Sequence, residues 1–181
     1  MNSFKKNLNI ITAAGIAFTL ILGTLLHFTF KWSGNSPVVG MFSAVNESVW
    51  EHLKLISVPI LLFAAAGFFT FGRKVPGFAP AYAAAALAGM LFITVFFCIY
   101  TAIFGRHFLI ADIAGFVFAV IISFFLARSI IIKGKFTSPF AEQAGAAAII
   151  ILFALFIIFT FCPPHASFFK DPSTNGFGIP A

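Results

Sequence analysis

Five long apolar stretches divide this chain, and they restrict its fold more than any other feature. They cover residues 9–30, 46–71, 78–104, 108–132 and 143–162. Each is close to the roughly 20 residues that a helix needs to cross the hydrocarbon core of a bilayer. Only 9% of the residues are charged, against about a quarter in soluble domains, which excludes a soluble fold. We predict an all-α, polytopic membrane protein with five transmembrane helices in one domain, residues 1–181.

The basic residues are distributed unequally between the two ends of these predicted helices. Seven of the 11 lysines and arginines lie at the end that contains the N-terminus. The positive-inside rule therefore predicts that the N-terminus is inside and the C-terminus is outside, with an outer tail over residues 163–181. The pI of 9.7 then reflects contact between the plasma membrane's anionic lipids and the cytoplasmic face, and nucleic-acid binding is not indicated.

Titratable residues gather on the predicted outer side. All four histidines and four of the five carboxylates fall there. Ionisable groups near a bilayer are costly to place, so their collection at one end of the helices indicates a site. These residues are His27, Glu47, Glu51, His52, His107, Asp112, His165 and Asp171.

The densest group is the segment Val-Asn-Glu-Ser-Val-Trp-Glu-His-Leu-Lys, residues 45–54. At 100° per residue, its polar side chains share one arc of a helix that Asn46 would cap. We predict catalytic roles for Glu47, Ser48, Glu51 and His52, and supporting roles for Asn46, Trp50 and Lys54. In one version Ser48 is a nucleophile with His52 as its base. Alternatively the segment is a solvated helix start, with Trp50 as an interfacial anchor.

A second group, residues 106–112, opens the fourth span. Asp112 lies inside an otherwise apolar helix, where an acid needs a partner such as Arg106. Histidines and carboxylates together are ligands for zinc or another divalent metal. We therefore predict a metal site whose ligands come from distant segments, with His27 in a supporting role. The predicted ligands are His52, His107, Asp112 and His165.

Residues 45–54 resemble the signature of an uncharacterised family of small prokaryotic integral membrane proteins. The resemblance extends to residues 27–34 before the segment and to residues 163–178 after it. It implies five spans and brings no established activity.

Three functions are compatible with this sequence. One is a metal-dependent enzyme that acts on a lipid or lipid-linked substrate at the outer leaflet. Another is a transporter or ion-coupling protein, which would need polar residues at the bilayer midplane. The last is a non-catalytic structural or partner-binding membrane subunit.

Overall fold

The computed structural model describes residues 2–180, with side chains described from residue 6 onwards. Five of its helices are long and apolar enough to cross a membrane, which confirms the all-α, five-helix prediction. Two short helices lie between the first two spans. The helices are α1 (Asn2–Leu26), α2 (Thr29–Trp32), α3 (Pro37–Gly40), α4 (Val49–Thr70), α5 (Phe78–Phe104), α6 (Leu109–Ile132) and α7 (Pro139–Phe161).

Helix α4 is the centre of the bundle. Of its apolar span, 56% is buried inside the protein, whereas the other four spans are buried to between 11% and 28%. Helix α4 packs against α1, α5 and α7, and α6 packs against α1 and α5. The surrounding helices expose large apolar side chains such as Phe69, Leu91 and Ile150, as expected for surfaces that face lipid.

Helices α1 and α4 approach each other closely at Gly23. A Cβ at this position would lie 2.2 Å from the carbonyl oxygen of Leu55, so only glycine fits. That carbonyl has no helical partner, because Pro59 lies four residues further on and lacks the N–H group. The close approach brings the next turn of each helix together, so that His27 lies against His52 with 5.3 Å between ring centroids.

Helix α1 ends at Leu26, before the end of the predicted span 9–30. The Ser43 hydroxyl donates a hydrogen bond to the Leu26 carbonyl and accepts one from the backbone N–H of Phe30 at 3.0 Å. These bonds take the place of helical ones, and the chain turns. His27 therefore lies in the turn between α1 and α2 and not inside a span.

Helix α4 begins at Val49, and its N-cap is Ser48. The Ser48 hydroxyl accepts a hydrogen bond from the backbone N–H of Glu51 at 3.3 Å. The prediction that Asn46 caps this helix was therefore wrong. Its side-chain oxygen accepts a bond from the backbone N–H of Ser48 at 2.8 Å, which forms a turn ahead of the helix. Its Nδ2 donates to the carbonyl of Gly178 at 2.8 Å.

The tail after α7 folds back over the start of α4. Trp50 is 8% exposed and packs on Phe168 and Phe169, with ring centroids 6.2 Å and 5.2 Å away. The backbones of Lys170 and Phe177 pair in an antiparallel bridge. Trp50 is therefore a buried residue on which the tail packs, and the alternative interpretation as an interfacial anchor does not apply.

Candidate metal site

A cavity of about 790 Å³ lies where α1 ends and α6 begins. Segments of α1, α4, α5, α6 and the tail form its walls, which are mostly apolar. Its ionisable lining residues are His27, Glu47, His52, His107 and Asp112. We call this end of the bundle the polar end. A largely apolar chamber with a few convergent polar groups is typical of a ligand site.

Three side chains on one wall of the cavity are arranged like metal ligands. His27, Glu47 and His52 each offer one ligand atom, and these atoms lie within 4.8 Å of one another. A zinc ion with ligand bonds of about 2.1 Å holds its ligand atoms roughly 3.5 Å apart, so the cluster would have to contract to bind one. His27, predicted in a supporting role, is thus a candidate ligand.

Hydrogen bonds fix the orientation of His52. Its Nδ1 lies 2.9 Å from the backbone carbonyl of Ser48, and a carbonyl only accepts, so Nδ1 carries a proton. In the neutral ring Nε2 is then an acceptor, and it faces Oε2 of Glu47 at 3.4 Å. Two acceptors at this distance need a positive charge between them, either a proton or a metal ion.

The other two members of the cluster are affected by burial and by His52. Burial and the neighbouring His52 lower the pKa of His27, which favours the neutral ring, the form that can bind a metal. In the described part of the chain, the buried Nδ1 of His27 has no hydrogen-bond partner. The hydrogen bond with His52 lowers the pKa of Glu47, which keeps this carboxylate ionised.

A second polar group, formed by Tyr100, His107 and Asp112, lies on the α5–α6 side. His107 Nδ1 is 3.3 Å from Oδ2 of Asp112, and the Tyr100 hydroxyl donates to Oδ1 of the same carboxylate. Arg106, the partner predicted for Asp112, lies instead over the ring of Phe108 at 4.8 Å. The carboxylate fixes the imidazole through Nδ1 and leaves Nε2 available for proton transfer.

The predicted catalytic residue Glu51 is directed away from the cavity. Its Oε2 lies 2.6 Å from Lys54 Nζ and accepts a hydrogen bond from the backbone N–H of Val45 at 3.0 Å. Thr160 on α7 bonds to Glu51 at 3.3 Å, and Lys54 also donates to the carbonyl of Gly40 at 2.9 Å. The pair therefore joins α4, α7 and the loop before α4, and Glu51 is not part of the cavity lining.

Two further predicted site residues also lie apart from the cluster. The hydroxyl of Ser48 is occupied as the cap of α4, and Ser48 is 1% exposed, so the predicted nucleophile is not presented to the cavity. His165 is exposed and stacks on Phe177 with 4.6 Å between ring centroids. The structure thus brings together three of the four histidines around the cavity and leaves His165 outside.

Sequence reasoning missed Tyr100 and Thr160. A signal for the first existed, because the chain has 28 phenylalanines and only 2 tyrosines, so a tyrosine marks a place where a hydroxyl is needed. Thr160 lies among apolar residues at the end of α7 and gave no comparable signal.

Fold and site together define a multi-pass α-helical membrane protein with a histidine–carboxylate cluster at one end of its bundle. The chain belongs to a family of unknown function, DUF6512, whose model matches residues 1–179. Membership of an uncharacterised family is thereby confirmed. No curated protein matches this chain, and no solved structure matches it either.

Proposed function

We propose that this protein is a membrane-embedded, metal-dependent enzyme whose divalent ion, zinc in the simplest case, is held by His27, Glu47 and His52. The observation that carries the proposal is the convergence of these ligand atoms within 4.8 Å in a cavity wall. Two histidines and a glutamate are a ligand set of catalytic zinc, which keeps a fourth position for water. Residues 45–54 supply two of the three proposed ligands, Glu47 and His52.

The reaction that suits this site is hydrolysis of a lipid or lipid-linked substrate. A divalent ion held by the three ligands would make a water molecule acidic enough to act as the nucleophile near neutral pH. The water oxygen bonds to the substrate's carbonyl carbon, and the bond from that carbon to the leaving oxygen or nitrogen breaks. The proton from water passes to the leaving atom, and the proposed carrier is His107, which lines the same cavity and lies 3.3 Å from Asp112.

The distribution of basic residues supports an orientation for this site. With the N-terminus in the cytoplasm, the polar end faces the outer leaflet of the plasma membrane. Glu142, the carboxylate at the opposite end, accepts backbone hydrogen bonds from Phe78 at 3.0 Å and Ala79 at 3.1 Å. It caps α5 and contributes to fold stability there, so the reactive groups are confined to one side.

The cavity shape favours an enzyme over a transporter. Its floor is closed where Gly23 of α1 meets the ring of Phe116, and a Cβ on Gly23 would lie 2.8 Å from that ring. Beyond this floor the centre of the bundle is filled mainly by apolar side chains, including Ile56, Val120 and Phe124. Among the described residues, the buried polar groups at this depth are the hydroxyls of Thr19, Ser57 and Ser123, which are few and uncharged for the midplane site that a transported solute needs.

Elemental analysis of the gently purified full chain tests the metal site. We expect a stoichiometric divalent metal in the wild type and its loss in His27→Ala, Glu47→Gln and His52→Ala. His165→Ala is the matched control, because this histidine lies outside the cluster, and it should keep the metal. A wild type without metal, or equal metal content in all variants, would refute the proposal.

A further inference from the structure

Three apolar residues of the cavity lining carry exposed side chains, one in the turn after α1 and two in the first turns of α6. Phe28 is 43% exposed, Leu109 71% and Ile113 54%. Deeper in the bundle the two helices meet, where the Phe116 ring covers Gly23. Helix α6 rises about 10 Å between Phe116 and Leu109. These exposures and this contact indicate a side slot between α1 and α6, about two helical turns deep.

This slot belongs to the part of the protein that lipid surrounds. It lies beside the first turns of α6, inside the apolar span Leu109–Ile132. With this span in a bilayer, we expect its exposed leucine and isoleucine side chains, and the neighbouring Phe28, to face hydrocarbon. A ligand that enters through the slot therefore comes from the bilayer, and its apolar part remains in contact with these side chains.

The charges at the inner end of the slot restrict the headgroup. The lining includes two carboxylates, Glu47 and Asp112, and among the described residues that line the cavity there is no lysine or arginine. Anionic headgroups such as phosphate are recognised by arginine and lysine, so an anionic lipid is poorly matched here. A divalent ion would balance the two carboxylates and leave a site for an uncharged carbonyl group.

We propose that the cavity takes an uncharged lipid with an acyl ester or amide from the bilayer through the slot between α1 and α6. The acyl chain lies between Phe28 and Ile113, and the carbonyl group points towards the histidine cluster. The inference rests on the proposed function for the reaction, whereas lipid entry depends only on the slot.

Photocrosslinking tests lipid entry. The full chain is placed in phosphatidylcholine nanodiscs with a diacylglycerol that carries a diazirine on its acyl chain, and labelled peptides are identified by mass spectrometry. We expect labels concentrated at Phe28, Leu109 and Ile113, with competition by unlabelled diacylglycerol. Ile113→Trp should reduce this labelling several-fold. Phe118→Trp is the matched control, because Phe118 is 58% exposed on the same helix and outside the cavity lining.

Other outcomes would overturn the inference. Labels spread evenly over lipid-facing helices, or labelling unchanged in Ile113→Trp, would reject the slot. Equal competition by phosphatidylglycerol would reject the preference for an uncharged lipid. Leu109→Trp replaces Ile113→Trp if that variant is not monodisperse in gel filtration.

The experiment also separates this inference from the proposed metal site. Labelling is repeated on protein stripped with a chelator, and metal content is measured on the same samples. Slot labelling in a wild type that never contains metal would keep the lipid entrance and reject the enzyme proposal. A wild type that contains metal but shows no labelling at the slot would reject the lipid entrance and keep the proposed metal site.

Discussion

The side chains of Glu51 and His52, adjacent in sequence, leave α4 in different directions. Oε2 of Glu51 lies 2.6 Å from Nζ of Lys54 in the protein interior, where both side chains are at most 2% exposed. Nε2 of His52 faces the cavity, 3.4 Å from Glu47. The start of α4 therefore has two roles. The Glu51–Lys54 ion pair connects parts of the bundle, and His52 belongs to the candidate site.

Lys54→Met should strongly destabilise the protein. The change leaves Glu51 buried without its cation, and breaking such a buried pair typically costs about 3–5 kcal/mol. The carbonyl of Gly40 also loses its donor, which Lys54 supplies at 2.9 Å. Thermal unfolding in detergent, followed by circular dichroism, measures the loss.

A double variant distinguishes the ion pair from general disturbance of the core. Glu51→Met combined with Lys54→Met removes both charges, so it should be clearly more stable than Lys54→Met alone. Lys133→Met removes an exposed lysine and should leave the unfolding temperature unchanged. Equal losses in the single and double variants would contradict the structural role of the pair.

Ser43→Ala should weaken both the fold and the proposed metal site. Ser43 is fully buried, and its hydroxyl accepts bonds from the backbone N–H of Phe30 and the hydroxyl of Thr29, each at 3.0 Å. Leaving these donors unpaired costs about 1–3 kcal/mol. Because the same hydroxyl holds the turn that carries His27, metal affinity should fall as well, as measured by competition with a chromophoric chelator.

The matched control for this change is Ser167→Ala. Ser167 is exposed in the tail, so its replacement should alter neither unfolding temperature nor metal affinity. A Ser43→Ala protein that loses stability but binds metal as tightly as the wild type would show that the turn does not position His27.

The five spans were predictable from sequence because hydrocarbon thickness imposes a length and a composition on each helix. The helix ends were less predictable, since single hydrogen bonds determine them. Ser43 bonds to Leu26 from a loop 17 residues further along the chain, and no local sequence pattern predicts this contact. Asn46 and Ser48 are both good cap residues, and the choice between them depends on the tail, where Gly178 accepts a bond from Asn46.

The location of the candidate site was predictable from the sequence, whereas the residues that form it were only partly predictable. The helical projection from Glu47 grouped it with Glu51, because it assumed that Glu47 lies on the helix. The helix starts at Val49, so Glu47 is free to turn back towards His52. His27 joins them through the close contact of α1 with α4 at Gly23, a tertiary feature that spacing along the chain does not encode.

The tail turn should lose stability in acid. Burial opposes ionisation of Asp171, but hydrogen bonds from Ser173 and Thr174 outweigh it and hold the pKa below its ordinary value of 3.8. A lowered pKa stabilises the folded turn at pH above 3.8, and this contribution disappears as pH falls through the folded-state pKa. Limited pepsin digestion at a series of acidic pH values should show faster cleavage in the tail at the lowest pH values.

Asp171→Asn is the comparison for this titration. The amide is neutral at every pH, so the variant should lack the acid-induced change. At the highest pH of the series it should already be cleaved faster than the wild type. The carboxylate accepts three hydrogen bonds of 2.7–3.0 Å, from the backbone and hydroxyl of Ser173 and from Thr174. Identical pH dependence in wild type and variant would show that Asp171 does not control the turn.

Tyr100→Phe should disturb His107 and leave the metal site intact. The Tyr100 hydroxyl fixes one carboxylate oxygen of Asp112, and the other oxygen faces Nδ1 of His107 at 3.3 Å. Without the hydroxyl the carboxylate can rotate, so the His107 ring signals should shift in the ¹⁵N spectrum of histidine-labelled protein. Tyr82→Phe removes the chain's other tyrosine hydroxyl and should leave them unchanged. Unshifted His107 signals in Tyr100→Phe would show that Tyr100 does not orient this group. Loss of metal in the same variant would show that the group is not separate from the His27, Glu47 and His52 cluster.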